Sequence, residues 1–212
     1  MDDVRSNLAK RFPKACFEAA SAYASQRKLA SGVPEIDAFL AGGLPVGKVT
    51  EFGMPLGREG RTVLLQFLIR ATRGAGSPPL WCLWVSSHQN LEVYPPAWYA
   101  RGVAPGRIVF ADSQAPTKDL KRAIVSPFFG LIVLDAPKEF AKNDCLFVNV
   151  QARRNRQAIL LVRDFFLSNS KGNVWSALRI NCSKRHARNQ FVLRAIRGLS
   201  DRELCIDGDL LQ

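Results

Sequence analysis

The order of apolar and polar positions predicts alternating helices and strands along most of the chain. Between residues 3 and 26, Leu8, Phe12, Cys16, Ala19, Ala20 and Tyr23 recur at helical spacing, with Pro13 marking a start or a kink. In "LASGVPEIDAFLAGGLPVGKV", Ser31 is the expected cap of a short helix that carries Ile36, Phe39 and Leu40 on one face. Gly42 and Gly43 stop that helix, Pro45 and Gly47 turn the chain, and "KVTEF" enters a strand. Thr62 to Arg73 is again helical, with Leu65, Leu68 and Ile69 apolar, and "GAGSPP" breaks it.

The continuous apolar run "LWCLWVSS" suits a strand buried on both faces. "NLEVYPPAWYARGV" holds a short helix, "RIVFAD" a strand, and "APTKDLKRAIVSP" a helix with Thr117 as its expected cap. "FFGLIVLDAP" is a strongly apolar strand ending in Asp135, followed by a helix over residues 141–154 and the strand "QAILLV". Alternation of this kind predicts parallel strands joined by crossovers. After Asp164, "NVWSALRINC", "QFVLRAIR" and "ELCID" read as strands with no helix between them. The expected architecture is therefore α/β: a mainly parallel sheet flanked by helices, with an antiparallel extension at the C-terminal end. Residues 1–29 form an N-terminal helical segment and residues 30–212 the domain proper.

Composition adds limits. The 212 residues are 47% hydrophobic, and no apolar run approaches the roughly 18 residues of a membrane span. "MDDVRSNLAKRF" lacks the apolar stretch of a signal peptide, and the five cysteines are scattered without a C-x-x-C pair. These features point to a reduced, cytoplasmic protein with no zinc site or disulfide framework. A net charge of +12 favours an anionic partner, either nucleic acid or an acidic protein surface. Arg153, Arg154 and Arg156 cluster at a helix C-terminus, where the dipole favours cations in any case. Lys184, Arg185, His186 and Arg188 share one hairpin turn, followed by Arg194 and Arg197. No base-reading motif is visible, so any DNA contact is expected to lack sequence specificity.

Candidate chemistry centres on "VTEFGMPLGREGRTVLLQFLIRAT", a strand, a glycine-rich turn and an amphipathic helix. A phosphate loop reads G-x-x-x-x-G-K-[ST]: backbone N–H groups cradle phosphates, lysine reaches the β/γ-phosphates and the hydroxyl holds magnesium. Here Gly53, Gly57 and Gly60 precede Arg61 and Thr62, and the lysine is missing. Placing Gly60-Arg61-Thr62 on Gly-Lys-Thr puts Gly60 seven positions after Gly53, where the motif's second glycine comes five after the first. Glu59 would bring negative charge towards a triphosphate.

The order of these segments resembles the RecA recombinase core. "LASGVPEIDAFLAGGLPVGKVTEFGMP" is similar to its entry, "GLIVLDAP" to its Walker B strand and "GNVWSALRI" to the segment after its second DNA-binding loop. Coverage runs from about residue 30 to residue 197. The resemblance implies that Asp135 stands at the Walker B position and that a glutamate should orient the attacking water after the second strand. That position holds His88, the family's neighbouring acidic position holds Ser86, and Glu92 comes too late. A histidine can act as a base, and it also has an ordinary place in a helix-entry turn.

Size, entry motif, altered loop and basic hairpin together resemble the ImuA family, accessory proteins of bacterial SOS mutagenesis. The resemblance implies a RecA-like fold without hydrolysis and with no obligatory cofactor, ATP and magnesium being the alternative. It implies as partners an ImuB-like relative of Y-family polymerases, an error-prone replicative-type DNA polymerase and RecA. Non-specific DNA contact would fall to Lys171, Lys184, Arg185, Arg188, Arg194 and Arg197. A divergent RecA-type ATPase and a SulA-like cell-division inhibitor are the competing expectations. Trp81 and Trp84 are expected in the core, and Trp98 on the surface. The ending "DGDLLQ" reads equally as a docking tail or a strand end.

Overall fold

The computed structural model describes residues 27–74, 76–87, 93–200 and 203–211. The helix expected over residues 3–26 lies outside the described residues. Helix α1 covers Pro34–Phe39, strand β1 Val49–Gly53, α2 Arg61–Arg73, β2 Trp81–Ser86, α3 Pro95–Ala100 and β3 Ile108–Asp112. Next come α4 (Pro116–Asp119), α5 (Lys121–Val125), β4 (Phe129–Asp135), α6 (Lys142–Asn155) and β5 (Ala158–Arg163). Strands β6 (Leu178–Arg185), β7 (Gln190–Arg197) and β8 (Glu203–Asp207) follow.

The eight strands form one sheet in the order β8-β7-β6-β1-β5-β4-β2-β3. From β6 across to β3 every neighbouring pair is parallel. Strand β7 runs antiparallel to both β6 and β8. The mainly parallel sheet and its antiparallel C-terminal extension are thus both present. A two-residue ladder, Lys28–Leu29 with Leu44–Pro45, closes the turn before β1 and has no counterpart in the sequence reading.

Side chains alternate between two cores with period two, which is why the central strands read as unbroken apolar runs. Phe52, Trp84, Leu131, Val133, Leu160 and Val162 pack on one face with Leu64, Phe67 and Leu68 of α2. Their neighbours Leu83, Val85, Ile132, Leu134, Ile159 and Leu161 face the other way, against Ile124 of α5 and Val148 and Ala152 of α6.

Local details correct the sequence reading. Ser31 does not cap α1. Pro34, with its fixed φ and no N–H, starts the helix after Val33. Ser31 instead donates its N–H and its hydroxyl to Asp37 Oδ1, at 2.6 and 2.8 Å. Nor does Thr117 cap a helix: the expected single helix breaks at Leu120 into α4 and α5, and Thr117 lies buried inside α4. Its hydroxyl donates to Asp144 Oδ1 of α6, while Ser113 Oγ accepts the Ala115 N–H at 3.1 Å. Trp98 is half-buried rather than exposed, edge-on to Trp84 with centroids 4.7 Å apart. The described part of the ending begins as a strand end, at Asp207 of β8, and then packs as a turn. Gly208–Leu211 forms a 3-10 turn that buries Leu211, whose carbonyl accepts from Gln66 Nε2 of α2 at 3.1 Å.

Candidate functional site

The loop between β1 and α2 bends through positive φ at Gly57 and at Glu59. Gly60 has a helical φ, so its lack of a side chain serves a different need. A Cβ there would lie 2.8 Å from the Cys182 carbonyl oxygen of β6. The same strand holds the loop by a Lys184 N–H to Arg58 carbonyl bond of 2.8 Å. Gly53 is likewise a close-approach position, where a Cβ would meet the Asn181 side chain. Gly53 and Gly60 therefore fit the loop against β6, and neither contact needs a phosphate.

Glu59 does not face the loop interior, as the sequence reading expected. Its carboxylate turns to the β6–β7 hairpin, 2.9 Å from Lys184 Nζ and 3.6 Å from His186 Nδ1. The Lys184 hydrogen bond holds the Glu59 pKa below the ordinary carboxylate value. The sign follows from that lowering. The stabilisation is full above the unfolded carboxylate value and is lost as pH falls through the folded one. With half of the Glu59 side chain exposed, Glu59→Gln should cost no more than about 0.5 kcal/mol near neutrality. Urea unfolding of the two proteins at pH 7 and at pH 3 should show this gap closing in acid. A gap that is unchanged at pH 3 would dismiss the latch.

Arg61 and Asp135 do meet, although β5 lies between β1 and β4. Arg61 Nε donates to Asp135 Oδ1 and Oδ2 at 3.0 and 2.9 Å, and Nη2 to Oδ1 at 2.7 Å. Nη1 donates to the Met54 carbonyl at 3.0 Å. A planar guanidinium suits this fork, which an ammonium could not reproduce. The Asp135 side chain is 5% exposed and that of Arg61 23%. Arg61 thus ties the start of the loop, the start of α2 and the end of β4 into one cluster. Beside it a cleft of about 370 Å³ is lined by Thr62, Ser86, Trp84, Tyr94, Trp98 and Arg101, among others. His88 and Glu92 lie outside the described residues.

The basic residues divide by task. Lys184 is taken up by Glu59, and Arg185 and Arg194 share Glu203 at 3.5 and 2.8 Å. Arg197 donates to the Val174 carbonyl at 2.8 Å. Lys171 Nζ sits 3.8 Å from the centre of the Phe165 ring, and Arg188 is exposed at the hairpin tip. Much of the expected anion-binding group therefore braces the hairpin, leaving Lys171 and Arg188 the best-presented cations.

One buried cluster has no place in the sequence reading. Glu51, in the middle of β1, is fully buried. Its carboxylate accepts from Arg163 Nε at 2.9 Å and from the Asn173 N–H at 2.6 Å, with Arg179 Nε at 3.6 Å. Arg179 in turn donates to the carbonyls of Ser168 and Lys171. The available signal was an acid between Thr50 and Phe52 in the middle of a predicted strand. Among the described residues no group of histidine, cysteine and acidic side chains is arranged to hold a metal. Burial pushes the Cys82 thiol up to about 12 and that of Cys182 higher still, so neither serves as a thiolate near neutrality. No protein-family model matches the chain, and no curated protein matches it.

Proposed function

We propose that this chain is a RecA-like accessory protein of the ImuA kind, an adaptor in SOS-induced mutagenic translesion synthesis that works without ATP turnover. The observation that carries the non-hydrolytic part is the Arg61–Asp135 fork. In a working loop the Walker B acid acts through magnesium and the loop cation reaches the phosphates. Here the loop cation is spent on that acid, and Gly53 and Gly60 pack against β6. The adaptor part rests on the order of RecA-like motifs and on the basic excess. Its partners are an ImuB-like polymerase relative, an error-prone replicative-type polymerase and RecA, with DNA touched weakly from Lys171 and Arg188. A divergent ATPase using Arg61, Thr62 and Asp135 is the second reading, favoured by the cleft that adjoins all three.

Titration with a fluorescent ATP analogue and magnesium separates the two readings. The expected result is no phosphate release and no saturable micromolar binding. Micromolar binding that disappears in Asp135→Ala, accompanied by phosphate release, would establish the ATPase. For the adaptor role, an ImuB-like partner should be retained by the wild type in a pull-down and lost from a variant with Lys171→Glu and Arg188→Glu. Single-stranded DNA binding should weaken steeply with salt, because phosphate contacts release counterions. Equal retention of partner and DNA by that variant would move the interface elsewhere on the molecule.

A further inference from the structure

The cleft beside Arg61 carries chemistry that the adaptor reading does not use. Trp84, at the C-terminal half of β2, forms part of its wall and is 1% exposed. Its indole N–H has no hydrogen-bond partner among the described residues. A buried indole donor of this kind normally finds an acceptor. Trp98 stands edge-on to Trp84, and Leu56, Leu65, Val93 and Ala97 complete an apolar lining. Tyr94 and Leu56, both largely exposed, flank the opening. The volume, about 370 Å³, lies at the lower end of the range for small-ligand pockets and suits one or two rings.

Charge narrows the choice further. Among the described residues, the ionised side chains lining the cleft are Arg61, Arg101 and Asp135. Arg61 and Asp135 compensate each other through their fork. Arg101 remains, an exposed cation at the end of α3 within electrostatic reach of Glu59, which Lys184 already pairs, and Thr62 and Ser86 line the same space. Among these described residues the excess is one positive charge, which a single anionic group satisfies and a triphosphate exceeds. We infer that the cleft binds one aromatic ring carrying one negative charge, the ring between Trp98 and Leu65 and the anion at Arg101. Such a ligand has two sources: a free aromatic acid, or an aromatic side chain beside an acidic residue in a protein segment.

The test uses ¹⁵N-labelled full-length protein and follows the indole N–H resonances, with that of Trp84 assigned by its loss in Trp84→Phe. N-acetyl-tryptophan should move the Trp84 and Trp98 signals saturably. N-acetyl-tryptophanamide, which lacks the charge, should bind roughly fivefold more weakly, as a half-exposed ion pair allows. Arg101→Gln should erase the difference between acid and amide, and Ala97→Trp should fill the cleft and abolish both responses. A peptide holding tryptophan between two aspartates arbitrates the source. Tighter binding than the free acid marks a protein segment, and weaker binding marks a small molecule. Magnesium-ATP moving the same signals at lower concentration than any aromatic acid would overturn the inference. So would wild-type Trp84 and Trp98 indole signals that stay unchanged up to the solubility limit of the probe. Neither result depends on whether polymerase partners bind, so the inference and the adaptor reading fail separately.

Discussion

Arg61→Ala should lower the free energy of unfolding by about 3 kcal/mol, and Asp135→Asn in the same chain should restore a large part of that loss. The asymmetry comes from burial. Removing the guanidinium strips the main ionic partner from a carboxylate that is 5% exposed, which water reaches poorly. Removing the charge of Asp135 instead leaves a guanidinium that is 23% exposed and can hydrate, at roughly 1 kcal/mol. The two single losses should therefore not add, and a double-mutant cycle should give a coupling of 1 kcal/mol or more, as expected of groups in direct contact. Arg61→Lys should fall in between, because one ammonium cannot span both carboxylate oxygens and the Met54 carbonyl. Urea midpoints with unchanged m-values would measure all four proteins. If Arg61→Ala, Asp135→Asn and the double variant all stay within about 0.5 kcal/mol of the parent, the fork contributes nothing and its role in closing the loop must be abandoned.

The fork also shows how far the sequence could be followed. The strand–turn–helix around Gly53 to Arg73 and the acid at the end of β4 were readable from hydrophobic period and turn residues. Their meeting across β5 required the strand order, which local pattern does not encode. The same limit explains Glu59. In sequence it belongs to the phosphate loop, whereas in space it belongs to Lys184, 125 residues away. Gly60 looked like a phosphate-cradling residue, but the contact that demands it is the carbonyl of Cys182. Failed caps at Ser31 and Thr117 have a related cause. Both side chains found an acid, Asp144 for Thr117 and Asp37 for Ser31, whose hydroxyl also accepts the Val33 N–H just before the helix. The basic hairpin was legible as a charge cluster, but which of its cations were spent on Glu59 and Glu203 depended on cross-strand register.

Glu51 marks the deepest part of that limit, and Glu51→Ala should be the more damaging substitution, at about 4 kcal/mol or beyond. The carboxylate is fully buried in the central strand, and two arginines converge on it. Deleting it leaves the Arg179 guanidinium, whose side chain is 4% exposed, without its counter-charge. Arg163 is better placed to recover, because its side chain is 13% exposed and lies over the Phe140 ring. Arg163→Ala should accordingly cost less than Arg179→Ala, and both less than Glu51→Ala. The Asn173 N–H also loses its acceptor, and Arg179 relaxes its hold on the carbonyls of Ser168 and Lys171. Damage should therefore concentrate in the turn that presents Lys171. Hydrogen exchange at Asn173 should accelerate more than exchange in β4, and any DNA contact by Lys171 should weaken although the surface itself is untouched. Glu51→Gln keeps the shape and one acceptor but removes the charge. If that variant unfolds within about 0.5 kcal/mol of the parent, the charge is dispensable and hydrogen bonding alone secures the turn. If it approaches the alanine variant, the central strand of this sheet fixes the position of a surface loop through one buried charge.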